Sequence, residues 1–171
     1  MRRIPLTQGQ FALVDDEDFK TIAAYNWFAK WNRGTQSFYA YRSDYSRGPI
    51  AITVRMHRLI AGATGDGRSQ HVDHRNKDTL DNRRANLRIC SVTQNGGNSK
   101  KRSDGVTSAF KGVGRYKSRC LWVARIQISG KRRCLGYFAE EAGAARAYDA
   151  AALQHFGEFA CTNQMLGLLA A

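Results

Sequence analysis

The sequence predicts an α+β protein: two short strands around a polar turn in its middle, and a strand hairpin running into a helix near its end. Three observations carry this. Within residues 57–98, a short apolar-flanked run ends in Asp73-His74, an Asn- and Arg-rich turn follows, and the β-like run Leu87-Arg88-Ile89-Cys90 leads into a polar segment with Asn95 and Asn98. Over residues 122–129, Trp122, Ala124, Ile126 and Ile128 alternate with Val123, Arg125, Gln127 and Ser129, the period of a half-buried strand. From residue 140 to 156, Ala142, Ala145, Tyr148, Ala152 and Phe156 recur every three or four residues, the period of a helix face.

The remaining elements follow in chain order. Phe11-Ala12-Leu13-Val14 reads as a strand. The acidic run Asp15-Asp16-Glu17-Asp18 suits a helix N-terminus, where carboxylates complement the helix dipole. A helix through Phe19, Ile22, Ala23 and on to about Trp27 fits that start. The same carboxylates could hold a cation, but a solvated cap is the simpler reading. Residues 36–42 and 50–56 read as strands. Residues 96–108 (GGNSKKRSDGVTS) are polar and basic and read as an exposed linker, whose Lys100, Lys101 and Arg102 would contact phosphate. Residues 111–117 read as a short strand. Gly130-Lys131 marks a hairpin turn, and residues 132–138 form the returning strand. Small alanines let the last helix lie close to a sheet.

Charge narrows the function. The 171 residues carry 27 Lys and Arg against 14 Asp and Glu, a formal net charge of +13. Such a charge calls for a polyanion, and nucleic acid is the commonest one. The four cysteines, Cys90, Cys120, Cys134 and Cys161, form no CxxC or CxxH pair, so no structural zinc is expected. No signal segment or membrane-spanning run is present, so the expected setting is the cytoplasm, with reduced cysteines packed mostly as small apolar side chains.

The middle segment carries the chemistry. Phosphodiester hydrolysis needs an attacking water, a group to take its proton, and a cation on the developing charge. His74 titrates near neutrality and can be that base. Asp73 and Asn95 offer oxygen ligands, which suit Mg²⁺, with Mn²⁺ as a substitute. Neighbours on a strand point to opposite faces, so Asp73 and His74 serve one site only if the backbone bends or a ligand reaches around.

Here the chain resembles the HNH homing endonucleases of phage type, in which asparagine replaces the last histidine. The resemblance rests on His57-Arg58-Leu59-Ile60, Val72-Asp73-His74, the run LDNRRANLR over residues 80–88, and Gln94-Asn95. It implies that His74 is the general base, that Asp73 and Asn95 are the metal ligands, and that Asn86 braces the loop between strand and helix. His57 would support the site or contact phosphate, and a packed structural role fits it better. Asn98 reads as a helix-surface residue near DNA or a second ligand, His71 as a solvated strand-edge residue, and His155 as structural. The family usually shows Asp-Gly after the catalytic histidine. This chain has Arg75-Asn76-Lys77-Asp78, a departure that falls in the turn.

Residues 110–163 resemble the plant APETALA2/ethylene-response-factor DNA-binding domain. The matching elements are Phe110-Lys111-Gly112-Val113, Trp122-Val123-Ala124-Arg125-Ile126, Leu135-Gly136-Tyr137-Phe138, the run AARAYDAAA over residues 144–152, and Phe156-Gly157-Glu158-Phe159-Ala160. The resemblance implies a three-stranded antiparallel sheet packed on one helix, with the sheet in the DNA major groove. Residues 111–133 are rich in Lys and Arg and free of Asp and Glu, an electrostatic footprint in its own right. Arg115, Lys117, Arg125, Gln127, Arg132 and Arg133 are the candidate contacts, and an arginine can read guanine bidentately. The family usually has Glu at Arg125, Arg at Gln127 and Trp at Cys134, so the target sequence stays undefined. Trp122 shares its parity with the apolar positions and reads as core.

The expected organisation is a nuclease domain over 1–98 (an αβ part to 56, then a ββα-metal core), a basic linker over 99–108, a DNA-binding domain over 109–163 and a tail over 164–171. The expected function is a metal-dependent DNA endonuclease of homing or mobile-element type, acting on duplex DNA as a monomer or homodimer. A DNA-binding regulator with a decayed nuclease site is the alternative. An RNA-binding module has no matching motif.

Overall fold

A computed structural model describes residues 1–64, 70–99 and 107–170, apart from the side chain of Lys117. Lys100, Lys101 and Arg102 lie outside the described residues. The chain is mixed α/β, with several small antiparallel sheets and few helices. It forms two compact units, Met1–Ser91 and Val92–Ala171. The division comes earlier than the expected boundary at residue 98.

In the first unit, β1 (Arg2–Pro5) pairs with β2 (Phe11–Val14). Helix α1 (Asp16–Ala23) follows, with Asp15 at its N-cap and Asp16, Glu17 and Asp18 in its first turn. It stops four residues short of Trp27. The Trp27 indole instead donates 2.8 Å to the Ile22 carbonyl, which also accepts the Tyr25 N–H, and so helps to close the last turn. The spacing that suggested a longer helix thus reflects a terminal cap. Strands β3 (Phe28–Asn32), β4 (Ser37–Asp44) and β5 (Ile52–Arg55) make a sheet in that order. Met56 does not extend β5. It opens the short helix α2 (Met56–Ile60). Strands β6 (His71–His74) and β7 (Leu87–Cys90) form a separate antiparallel pair. Ile4, Ala12, Val14, Ile22, Trp27, Ala40, Met56, Ile60 and Leu87 share one buried core, so the elements that carry the histidines are anchored by the same cluster.

The second unit opens with the six-residue helix α3 (Val92–Gly97), which bears Asn95. Gly97 lies against the Phe156 ring, and a Cβ there would stand 2.6 Å from it. Strands β8 (Val113–Tyr116), β9 (Leu121–Ile128) and β10 (Lys131–Phe138) form an antiparallel sheet with β9 in the middle, and α4 (Glu141–Phe156) packs on it. Ile128 pairs with Lys131, so the turn residues are Ser129 and Gly130, one position before the expected pair. Both have positive φ, as a two-residue hairpin turn demands. Gly112, at φ +76, comes so close to Tyr148 that a Cβ would stand 1.9 Å from the ring.

The register sorts the candidate DNA contacts. Arg115 pairs with Trp122 and lies over its ring at 4.8 Å, and Arg133 pairs with Ile126. Both therefore belong to the face of Trp122, Ala124 and Ile126, not to the opposite one. Arg125, Gln127 and Arg132 share the opposite face with Val123. Val123 is fully buried, in register with Gly114 and Tyr137, and the Tyr137 ring meets Tyr116 at 4.9 Å. Lys111 is no part of a basic footprint. It is buried, and its Nζ donates to the carbonyls of Gly97 (2.9 Å) and Cys161 (3.1 Å). All four cysteines are free. Cys90 and Cys161 are buried, but Cys120 and Cys134 are exposed rather than packed. His155 is solvent-exposed, and Asn98 is buried instead of lying on a helix surface.

Candidate active site

Strand β6 ends in Asp73-His74, both buried. In a strand these neighbours point apart, and their partners differ accordingly. Asp73 stands opposite Arg88 and His74 opposite Leu87. Asp73 Oδ2 accepts both Arg88 Nε (2.9 Å) and Nη2 (2.8 Å). That charge-assisted pairing fixes the carboxylate. The carboxylate also raises the pKa of the nearby Cys90 thiol, although burial is the larger cause of its rise to about 11.

His74 belongs to an aromatic cluster. Its ring centroid lies 5.2 Å from His57 and 6.2 Å from Tyr39, and Tyr39 lies 5.6 Å from His57. His57 comes from α2 and Tyr39 from β4, so three separate elements converge on one point. Burial lowers the pKa of His74. A hydrogen-bonding interaction with Asn82 and the charges of Asp73, Asp78 and Asp81 oppose that effect. Burial lowers His57 further, helped by the neighbouring charges of His74, Arg55 and Arg58. Both imidazoles are therefore neutral near pH 7. His57 Nδ1 is buried with no hydrogen-bond partner among the described residues.

The turn between β6 and β7 is built from its own polar side chains. Asn86 accepts the Asn76 N–H at 3.0 Å and donates to the Asp81 carbonyl at 2.7 Å. Asn76 donates to Asp81 Oδ2, and its own Oδ1 accepts the Asp78 N–H, both at 2.8 Å. Arg83 closes on Asp81 with two 2.7 Å contacts. Asn86 thus braces the loop between the two strands. Lys77 takes φ +64 there, a left-handed conformation that favours glycine.

One carboxylate cluster lies apart from the histidines. Asp15, Glu17 and Asp18 bring their oxygens within 4.8 Å of one another. Arg84 fills it: its guanidinium meets Glu17 at 2.9 Å and Asp18 at 2.7 Å, and its N–H donates to Asp15 at 2.7 Å. The acidic run is a helix start clasped by an arginine.

Of the residues singled out in the sequence, His57, Asp73, His74 and Asn86 are all ordered parts of this unit. Asn95, half-buried on α3, belongs to the second unit. Tyr39 was missed. Its ring contact with the histidines spans distant chain segments and leaves no spacing to read. The residues from β5 to α3 now have a counterpart among known families. Residues 54–96 match the HNH endonuclease family. The match covers His57, Asp73, His74, Asn86 and Asn95, and likens this stretch to a family of DNA nucleases. HNH nucleases typically use divalent metal ions. No curated protein matches the chain. Among the described residues, no helix is long and apolar enough to cross a membrane.

Proposed function

We propose that this protein is a metal-dependent DNA endonuclease acting inside the cell, with His74 as the general base. The observation that carries the reading is the place of His74 within the HNH-matched stretch: buried, 5.2 Å ring to ring from His57, and next in sequence to an Arg-fixed carboxylate, with burial holding its pKa below the ordinary histidine value. A neutral imidazole can take the proton of an attacking water, and the carboxylates of Asp73, Asp78 and Asp81 favour the imidazolium that results.

Asp73 and Asn95 are the proposed metal ligands, on the resemblance of their motifs. The donor set is hard oxygen, which suits Mg²⁺ or Mn²⁺. Bound there, the metal would offset charge on the phosphate and the leaving oxygen. His57 and Tyr39 hold the His74 ring by contact, and Asn86 holds the loop that follows it.

The second unit is proposed as an APETALA2-like DNA anchor, contacting DNA through Arg125, Gln127 and Arg132 on the face away from α4. One site per chain favours a nick over a double-strand cut. A supercoiled plasmid incubated with Mg²⁺ should become nicked circles, and EDTA should stop the conversion. Tight binding with no conversion in Mg²⁺ or Mn²⁺ would identify a DNA-binding regulator with a decayed site instead.

A further inference from the structure

The sheet β3–β4–β5 has one face outside the main hydrophobic cluster; on it Tyr41 is buried, whereas Lys30 and Arg55 are exposed. Ala40 and Val54, on one side, pack into the core. The register puts Phe28, Lys30, Tyr39, Tyr41 and Arg55 on the other. Lys30 Nζ and Arg55 Cζ each lie 5.9 Å from the Tyr41 ring. Both side chains are exposed. Ser37, Ser43, Asn32 and Thr53 complete the face in register, and none of its residues is acidic.

These two cations differ from five arginines of the same unit. Arg2, Arg42, Arg83, Arg84 and Arg88 each meet a carboxylate. Among the described residues, neither Lys30 nor Arg55 does. A cation beside a ring gains little at an exposed site, so their charge is left for an external anion. The same face runs directly to the histidines. Tyr39, the register partner of Lys30, meets His57 and His74, and the charge of Arg55 is felt at His57.

We propose that the Lys30–Tyr41–Arg55 face binds the phosphodiester backbone of the DNA strand and leads it past Tyr39 to His74. The inference rests on the reading of His74 as the catalytic base for its direction, and on charge complementarity for its ligand. A polyanionic strand matches two uncompensated cations on an acid-free face, whereas a small anion would need a closed pocket. Lys30 and Arg55 become substrate-positioning residues, separate from the basic residues of the second unit.

The test uses the full chain carrying His74→Ala, so that binding is read without cleavage. Binding of a labelled duplex is followed by fluorescence anisotropy across a salt series for Lys30→Gln, Arg55→Gln, the double variant and Arg2→Gln. Removing one cation from the DNA backbone should flatten the slope of log K against log salt by about one. Over a four-fold rise in salt, that is about a 3.5-fold smaller loss of affinity for each cation removed. Lys30→Gln and Arg55→Gln should each show this, the double variant twice as much, and Arg2→Gln, whose charge meets Asp16, no change. Unchanged slopes for Lys30→Gln and Arg55→Gln, or an equal change for Arg2→Gln, would overturn the inference. Circular dichroism confirms that each variant is folded. The nuclease reading fails separately: if the wild-type chain leaves plasmid intact in Mg²⁺ while the slopes still flatten, the face binds DNA but serves no cutter.

Discussion

Each unit buries a polar cluster, and the two clusters are finished differently. In the second unit, Asn163 accepts the Lys111 N–H at 2.6 Å and donates to the Lys111 carbonyl and to Asp149. Asp149 in turn accepts the N–H groups of Asn163 and Gln164. Lys111 Nζ is spent on two carbonyls. This network joins the start of the sheet, α4 and the C-terminal segment, and its hydrogen bonds end on backbone. In the first unit, His57 and His74 meet ring to ring under Tyr39, and His57 Nδ1 has no partner among the described residues. Buried polar groups that serve only the fold are normally satisfied. Exceptions concentrate where a structure has a task other than stability. The contrast separates a structural staple from a candidate reaction centre.

The sharpest way to break the staple is at its base. Gly112→Ala would drive a methyl group into Tyr148 in a backbone conformation that disfavours any side chain. It should cost the second unit about 4 kcal/mol or more, read as loss of its thermal transition. Asn163→Ala should cost about 3 kcal/mol, because it leaves the Lys111 N–H and carbonyl without their partner and takes one of three donors from Asp149. A small loss in denaturant titration would show that water replaces the amide and that the staple is loose.

The reaction centre should behave in the opposite way. His57→Phe keeps a ring in the cluster and removes an unpartnered nitrogen. Stability should change by less than about 1.5 kcal/mol in either direction. Cleavage should fall between about ten- and a hundred-fold, because the His74 ring loses its support. A loss of stability as large as that of Asn163→Ala, with cleavage intact in the folded fraction, would make His57 a structural residue and remove the contrast. The smallest expected effect is in the turn. Lys77→Gly relieves the left-handed backbone and should raise stability by roughly 0.5–1 kcal/mol.

The same contrast explains what the sequence could show. The residues of β6, β7, the β9–β10 hairpin and α4 carry their periods locally, so alternation and helical spacing revealed them. Strand β1 was hidden because Arg2-Arg3-Ile4-Pro5 offers a single buried side chain, Ile4. Strand β3 was hidden because Phe19, Ile22, Ala23 and Trp27 keep helical spacing although Trp27 acts as the cap. His74 and Asp73 were legible as a motif. Their partners, Arg88 and Tyr39, were not, because cross-strand register and packing between distant elements decide them. Lys111 looked like part of a basic surface, and only its burial among carbonyls shows it to be a fastener.

The contrast turns on whether His74 performs chemistry or merely fills the core. The most direct measurement is single-turnover cleavage of plasmid DNA in Mg²⁺ by His74→Ala, with duplex binding measured on the same preparation. Cleavage should fall by about a hundred-fold or more, the range of a general base, while binding stays within about two-fold, because the base acts in the chemical step and not in the ground-state complex. Cleavage by the variant at the wild-type rate would contradict that chemical role.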